Sequence, residues 1–331
     1  MERPLCQFPQ LGAGVMAFAI ICNALCSVTG PGVSAQTTRT IKLVVPFPPG
    51  GPSDTLARLL AEQVGRTQML TMVVENRPGG GSVIGTEAVS RAAPDGNTLL
   101  VNSPTFVINP HLRKLNYDPL TSFEPICYLV SSPTMIVVNS ASPYRTLPDL
   151  IDAARAKPGG LTLASFGPAS SPQIGFEMLK RTANVDMTFV PYAGMAPAVN
   201  ALLGEHVTSA WVDYSAAAAQ VRAGTLRALA TPARMRIEAL PDTPTVAESG
   251  YRDFEADTWF GLAAPAKTPS QVVSELAGWF TAALRLPVIK AKLVPIGLYP
   301  VGICGTAFGA LIRKQYDEYG RVIRESNMKA E

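Results

Sequence analysis

The stretch VVPFPPGGPSD, Val44 to Asp54, decides how this chain folds. It runs from an apolar strand through prolines and glycines into a helix start. Loops of that shape commonly receive phosphate, yet this one holds no basic residue, and the P-loop pattern G-x-x-x-x-G-K-[ST] is absent. Pro48, Pro49 and Pro52 have no amide hydrogen, so the available donors are the amides of Gly50, Gly51, Ser53, Asp54 and Thr55. The prolines stiffen the turn and the glycines admit another group close to the backbone. Free amides and the dipole at a helix N-terminus favour a small, singly charged anion. An ordinary tight strand-to-helix turn explains the same residues.

Outward from that loop the pattern alternates strands and helices. Ile41 to Phe47 reads as a strand and Asp54 to Arg66 as a helix, capped by Ser53 or Asp54, with Leu56, Leu59, Leu60 and Val64 on one face. Met72 to Glu75 is a strand, NRPGGGS a turn, Val83 to Ala92 a short helix, and a third strand ends at Ser103. A second series starts at Met135 to Asn139, with its first helix after the cap candidate Thr146. Strand-helix alternation with short loops predicts doubly wound, mostly parallel sheets with flanking helices. No linker divides the chain. It is expected to cross near Tyr128 to Pro133 and again near Glu255 to Trp259, giving residues 36–132 plus 256–331 as one lobe and 133–255 as the other. Two lobes on two crossings form a hinged cleft.

A second loop, SFGPASSPQ from Ser165 to Gln173, again joins a strand to a helix and offers amides and hydroxyls. Ser165, Gly167, Ala169 and Ser170 are its candidate contacts, with Ser170 or Ser171 also able to cap. Tyr192, in PYAGMAP, supplies an amphipathic wall. Asp213, in WVDYS, lies past a strand end, where cleft residues of parallel sheets sit; it either accepts a bond from a ligand hydroxyl or amine, or caps the next helix. Ser103 and Thr105 carry the same two readings.

Composition narrows the function. The chain has 331 residues, 28 basic and 25 acidic, for a net charge of +3 without a basic cluster, which argues against nucleic acid or a lipid surface as partner. Arg3, the apolar Leu11 to Val28 and the small residues Val33-Ser34-Ala35 read as a secretion signal over 1–35, against the alternative of a membrane anchor. Leu25 before Cys26 does not fit a lipoprotein signal. Beyond the signal, only Cys127 and Cys304 remain; an exported chain can pair them, and two buried thiols satisfy the same sequence. GGGSVIG, Gly79 to Gly85, loosely echoes a dinucleotide loop, but no acidic residue ends the next strand to hold a ribose. His111 and His206 are the only histidines, there is no G-x-S-x-G elbow, and neither His spacing nor Cys pairs suggest zinc. No enzyme activity, metal or cofactor is expected.

With these residues the chain resembles the tripartite tricarboxylate transporter substrate-binding proteins, the Bug receptor family. The resemblance covers nearly all of the exported chain: VVPFPPGGPSD, then residues 73–100, NPHL, YDPLTSFEPI, VPYAGMAPAVNALLGEHV, AGTLRALA, LPDTPTVAESGY and WFGLAAPAKTP, in this order. It implies a two-lobed α/β periplasmic binding protein of the type II, Venus-flytrap class. It also implies a monomer that binds a small carboxylate through backbone amides and water and delivers it to large and small permease subunits. A receptor feeding a sensor kinase is the alternative. By the resemblance, first-loop roles fall on Phe47, Gly50, Gly51 and Asp54, and second-loop roles on Ser165, Gly167, Ala169 and Ser170. This chain departs from many relatives at Pro168, Ala169, Pro172 and Gln173, where they carry a Gly/Asn-rich loop followed by His, so no particular substrate carries over. Its last helix also opens without the acidic residue often found there.

Overall fold

The computed structural model describes residues 39–167 and 170–329; the signal expected over 1–35 lies outside them. Chain order gives β1 (Thr40–Val45), α1 (Pro52–Gln68), β2 (Thr71–Asn76), α2 (Val83–Ser90), β3 (Thr98–Asn102), α3 (Thr105–Leu112) and β4 (Phe123–Ser131). Then come β5 (Thr134–Asn139), α4 (Leu147–Ala156), β6 (Thr162–Phe166), α5 (Ser171–Ala183), β7 (Thr188–Tyr192), α6 (Met195–Leu203), β8 (Ser209–Asp213), α7 (Tyr214–Arg222) and β9 (Leu226–Ala230). The last elements are β10 (Trp259–Pro265), α8 (Ser270–Arg285), α9 (Pro287–Leu293), β11 (Tyr299–Cys304) and α10 (Thr306–Glu325).

Two sheets result, in the orders β11-β4-β10-β3-β1-β2 and β7-β6-β8-β5-β9. The parallel expectation holds for β2-β1-β3 and β7-β6-β8. The strands arriving from a crossing, β10 and β5, run antiparallel to both of their neighbours, so each sheet is mixed. Direction explains this. A crossing delivers the chain at the edge where the parallel strands end, and a strand entering there must run the other way. The chain passes from the first sheet to the second between Ser131 and Thr134, and re-enters the first at Trp259.

Helices cover both faces of each sheet, as buried parallel strands require. Leu56, Leu60 and Val64 of α1 and Leu276 and Phe280 of α8 pack against Ile41, Leu43 and Leu99 on one face of the first sheet. Phe106 of α3 and Phe308, Ile312 and Tyr319 of α10 cover the other. In the second sheet α4 and α5 cover one face, and α6 and α7 the other. Ile174 of α5 joins the α3–α10 cluster, so one helix touches both cores. Thr146 caps α4 as expected, in a reciprocal box with Asp149.

Four elements go beyond the sequence pattern, the short helix α9 among them. The short helix α3 contains Pro110, which hides its helical character, and β4 extends over what reads as a crossing. Edge strand β11 carries Pro300 and Gly302. It pairs with β4 so that Cys304 faces Cys127, and the two form a disulfide across a sequence separation of 177. Of the two possibilities open to these cysteines, the structure shows the pair.

Candidate functional site

Strand direction locates the site. In the first sheet Gly261 of β10 lies opposite Asn102, the last residue of β3, so the returning crossing sits at the carboxyl end of the parallel strands. In the second, Thr134, the first residue of β5, lies opposite Asp213, the last of β8. Both crossings thus adjoin the strand-end loops of the two sheets, the position at which open α/β sheets hold their ligands. The N-termini of α1, α3, α5, α6 and α7 all lie at these ends.

The first loop differs from its sequence reading. Helix α1 begins at Pro52 with Gly51 as N-cap and no side-chain cap; Ser53 and Asp54 lie inside it. Proline suits that first position because its missing N–H would be unpaired there anyway. Asp54 is 3% exposed, and its carboxylate accepts from the Gly50 amide at 2.9 Å, Arg58 Nε at 2.9 Å and Asn76 Nδ2 at 2.9 Å. Burial pushes this carboxyl upward, but Arg58, Gly50 and Asn76 together outweigh it and hold Asp54 below the usual carboxylate range. An anion from the chain itself therefore takes the Gly50 amide at the mouth of α1. The Thr55 amide bonds Gly51 O at 2.9 Å, whereas those of Gly51, Ser53 and Asp54 precede that first helical bond. Phe47 packs against the core, and its carbonyl accepts from Asn76.

Beside this loop runs a chain of hydroxyls. Ser103 Oγ lies 3.0 Å from Thr105 Oγ1, which lies 2.9 Å from Ser82 Oγ. The sequence pattern singles out Ser103 and Thr105 but not Ser82, because that contact joins two loops through the fold. The nearby Gly-rich turn serves packing: a Cβ on Gly85 would stand 2.8 Å from both Arg77 O and Pro46 Cβ.

In the second loop Ser165 is fully buried and its hydroxyl donates to Trp211 O at 2.6 Å, tying β6 to β8. The Gly167 amide donates to Tyr192 O at 2.9 Å, holding the loop against the end of β7, where Tyr192 itself is half-buried. Ser170 is the N-cap of α5; its hydroxyl accepts from the Gln173 amide and donates to Phe166 O. Ala169 lies outside the described residues. Phe166 is 36% exposed, an apolar surface at the strand end. Ser171 Oγ comes within 3.5 Å of Thr258 Oγ1 at the crossing, so this loop touches the hinge.

Asp213 occupies the N-cap position of α7 but makes no side-chain cap bond. It has no ion-pair partner among the described residues, and burial alone pushes its carboxyl up to about 6. A third carboxyl, absent from the sequence reading, lies at the hinge. Asp257 is 7% exposed; one oxygen accepts from Ser131 Oγ at 2.6 Å and Tyr128 OH at 3.1 Å, and the other is buried without a partner. Burial drives it to about 6 against the pull of the Ser131 and Tyr128 hydroxyls. No motif marks it, since its partners lie more than a hundred residues away. A cavity of about 690 Å³ opens between the start of β4 and α10, with Phe106 of α3 in its lining.

A family model described as tripartite tricarboxylate transporter family receptor matches residues 56–328. The periplasmic binding protein BugD is 33% identical, with a TM-score of 0.70 over 88% of this chain and 99% of its own. R. palustris Rpa4515 with adipate is 29% identical, with a TM-score of 0.73 over 89% of this chain and 99% of its own. MatC from Rhodopseudomonas palustris with bound malate is 29% identical, with a TM-score of 0.69 over 87% of this chain and 99% of its own.

Proposed function

Because the chain belongs to the tripartite tricarboxylate transporter receptor family, we propose that it captures a small carboxylate between its lobes and delivers it to that transporter's membrane subunits. The observation that supports this reading is that the strand-end loops of both sheets lie beside the two crossings and carry main-chain amides and hydroxyls. The basic side chains nearest the first loop are engaged: Arg58 with Asp54 and Asn76, and Arg77 with Glu75. A carboxylate entering the crevice then meets the Gly51 and Ser53 amides, the Ser103 and Thr105 hydroxyls, and the start of α5 around Ser170. Phe47, Gly50, Asp54, Ser165, Gly167 and Tyr192 act behind these groups, fixing the loops that present them.

Closure buries the carboxylate among its donors, because leaving it unpaired would cost several kcal/mol. Binding proceeds without metal, cofactor or covalent step. The relative BugD is a periplasmic binding protein, and the disulfide between Cys127 and Cys304 suits that oxidising compartment. Export through the N-terminal segment is part of this proposal.

The test is calorimetry and thermal shift on protein purified from periplasmic extract, with malate, adipate and a set of mono- and tricarboxylates. A ligand that binds only the native state raises the melting temperature with concentration. Gly51→Pro gives the matching control. The backbone there has φ −78°, which proline accepts, so the variant removes one amide and leaves the turn intact. Loss of binding in this variant supports the site; an unchanged affinity, or silence across the panel, overturns it.

A further inference from the structure

Among the described residues, Asp213 is the one acid at the strand-end loops without a hydrogen-bonding or charged partner. Parallel pairing of β6 and β8 matches Ala164 with Ala210, and continuing that register for three residues sets Gly167 beside Asp213. Asp213 thus stands at the end of β8, next to the second loop. Its neighbours give it nothing. Ser170 is spent on Phe166 O and the Gln173 amide, Ser165 on Trp211 O, and Trp211 Nε1 on Thr134 Oγ1. Position at an N-cap ordinarily brings such a side chain onto the amides of the following helix, and here it does not.

Resting on the receptor reading above, we propose that Asp213 selects the ligand: the carboxylate captured here carries a second group with an N–H or O–H donor, an ammonium or a hydroxyl, that bonds Asp213. The reasoning is electrostatic. A closed cleft holding both a ligand carboxylate and an ionised Asp213 contains two like charges in a poorly solvated space, which is costly unless a donor sits between them. A plain dicarboxylate brings no such donor. An amino or hydroxy acid does, and the bond it makes to a carboxylate is charge-assisted. That burial already disfavours the charged form of Asp213 agrees with a site lacking its partner.

The experiment compares ligands of one carbon skeleton, succinate, malate and aspartate, by calorimetry at pH 7.5, with alanine, lactate and propionate as a shorter series. In the wild-type protein the donor-bearing members should bind about tenfold or more tighter than the unsubstituted acid of their series, the worth of a buried charge-assisted bond. Asp213→Asn should erase that preference. A steep loss confined to the amino acids identifies an ammonium, and a loss confined to the hydroxy acids a hydroxyl. Equal binding of donor-bearing and unsubstituted acids by the wild type overturns the proposal, whatever the variant does. So does a preference that survives Asp213→Asn. Failure of every acid in both series together with the wider panel above refutes the receptor reading itself, whereas binding without preference refutes only the role of Asp213.

Discussion

The loops after β1 and after β6 occupy the same place in sheets of matching order, yet they handle charge in opposite ways. The first places Asp54 inside its own helix, where three donors converge on it. The second has no acid of its own; it uses the neutral Ser170 as cap and stands beside Asp213, which has no partner among the described residues. A helix N-terminus attracts an anion in both cases. In the first lobe the chain supplies that anion, and hydrogen bonds from Gly50 to Asp54 and from Asn76 to Phe47 O fasten the loop. In the second, only the neutral Ser170 caps the helix, and under the proposal above a ligand completes the Asp213 carboxyl beside it. A firm lobe and a receptive one follow from the placement of two aspartates.

The largest effect expected from breaking this contrast is that of Asp54→Ala. Removing the acid strands the Gly50 amide, Arg58 and Asn76 at once. Loss of one member of such a buried cluster costs about 3 kcal/mol, toward the lower end of the usual range because Arg58 is half exposed. Chemical denaturation should show that loss at neutral pH, with weakened carboxylate binding. The pH dependence has a fixed sign. A carboxyl held below its ordinary value stabilises the fold above the unfolded pKa, and that contribution disappears as pH falls through the folded one. The variant should therefore converge on the wild type under acid conditions.

Asp213→Asn should act in the opposite sense. A carboxyl raised to about 6 stabilises the fold below the ordinary carboxylate pKa, and that stability is lost as pH climbs through 6. Relative to wild type, the amide variant should gain roughly 2 kcal/mol at pH 7.5, a gain that shrinks toward pH 4. Asp257 titrates in the same window, so the difference between variant and wild type, rather than either curve alone, isolates Asp213. A variant less stable than wild type at pH 7.5 would show that Asp213 has a partner within the fold.

Which parts of this contrast the sequence reveals depends on distance along the chain. The strand-helix alternation, the Thr146 cap and the strand-end loops are legible because their signals are local. Arg58 lies four residues beyond Asp54 on α1, within reach of inspection; Asn76 lies on the next strand, and nothing local joins it to Asp54. The absent cap at Asp213 is a matter of side-chain direction, which residue type does not encode. Asp257 and the Cys127–Cys304 bond depend on strands brought together from opposite ends of the chain.

Ser165 separates architecture from contact in the second loop. Its hydroxyl is spent on Trp211 O, so Ser165→Ala should cost about 1 kcal/mol in thermal denaturation. Ligand affinity should remain within about twofold of wild type, since a structural bond adds nothing in the complex that it does not supply in the free protein. A large drop in affinity with little loss of stability would instead return Ser165 to the contact surface.

The smallest effects compare the two loop glycines. Gly50 has φ +84° and Gly167 φ +49°, and a Cβ at either would meet nothing within 4 Å. Alanine at each position therefore encounters no clash and pays only for a left-handed backbone, about 1 kcal/mol. Stability alone should not distinguish them. Binding should, because the first loop is fastened by Asp54 at the residue being changed, whereas Gly167 is held by a single amide bond to Tyr192 O. Gly50→Ala should lower the melting temperature and leave affinity nearly intact, the Asp54 clasp keeping the Gly51 amide in place. Gly167→Ala should slow or weaken capture for a similar loss of stability, since the less fastened loop shifts its backbone away from the strained conformation. Stopped-flow binding with the tightest acid of the panel would measure both, and equal affinities for the two variants would mean that the lobes do not differ in rigidity.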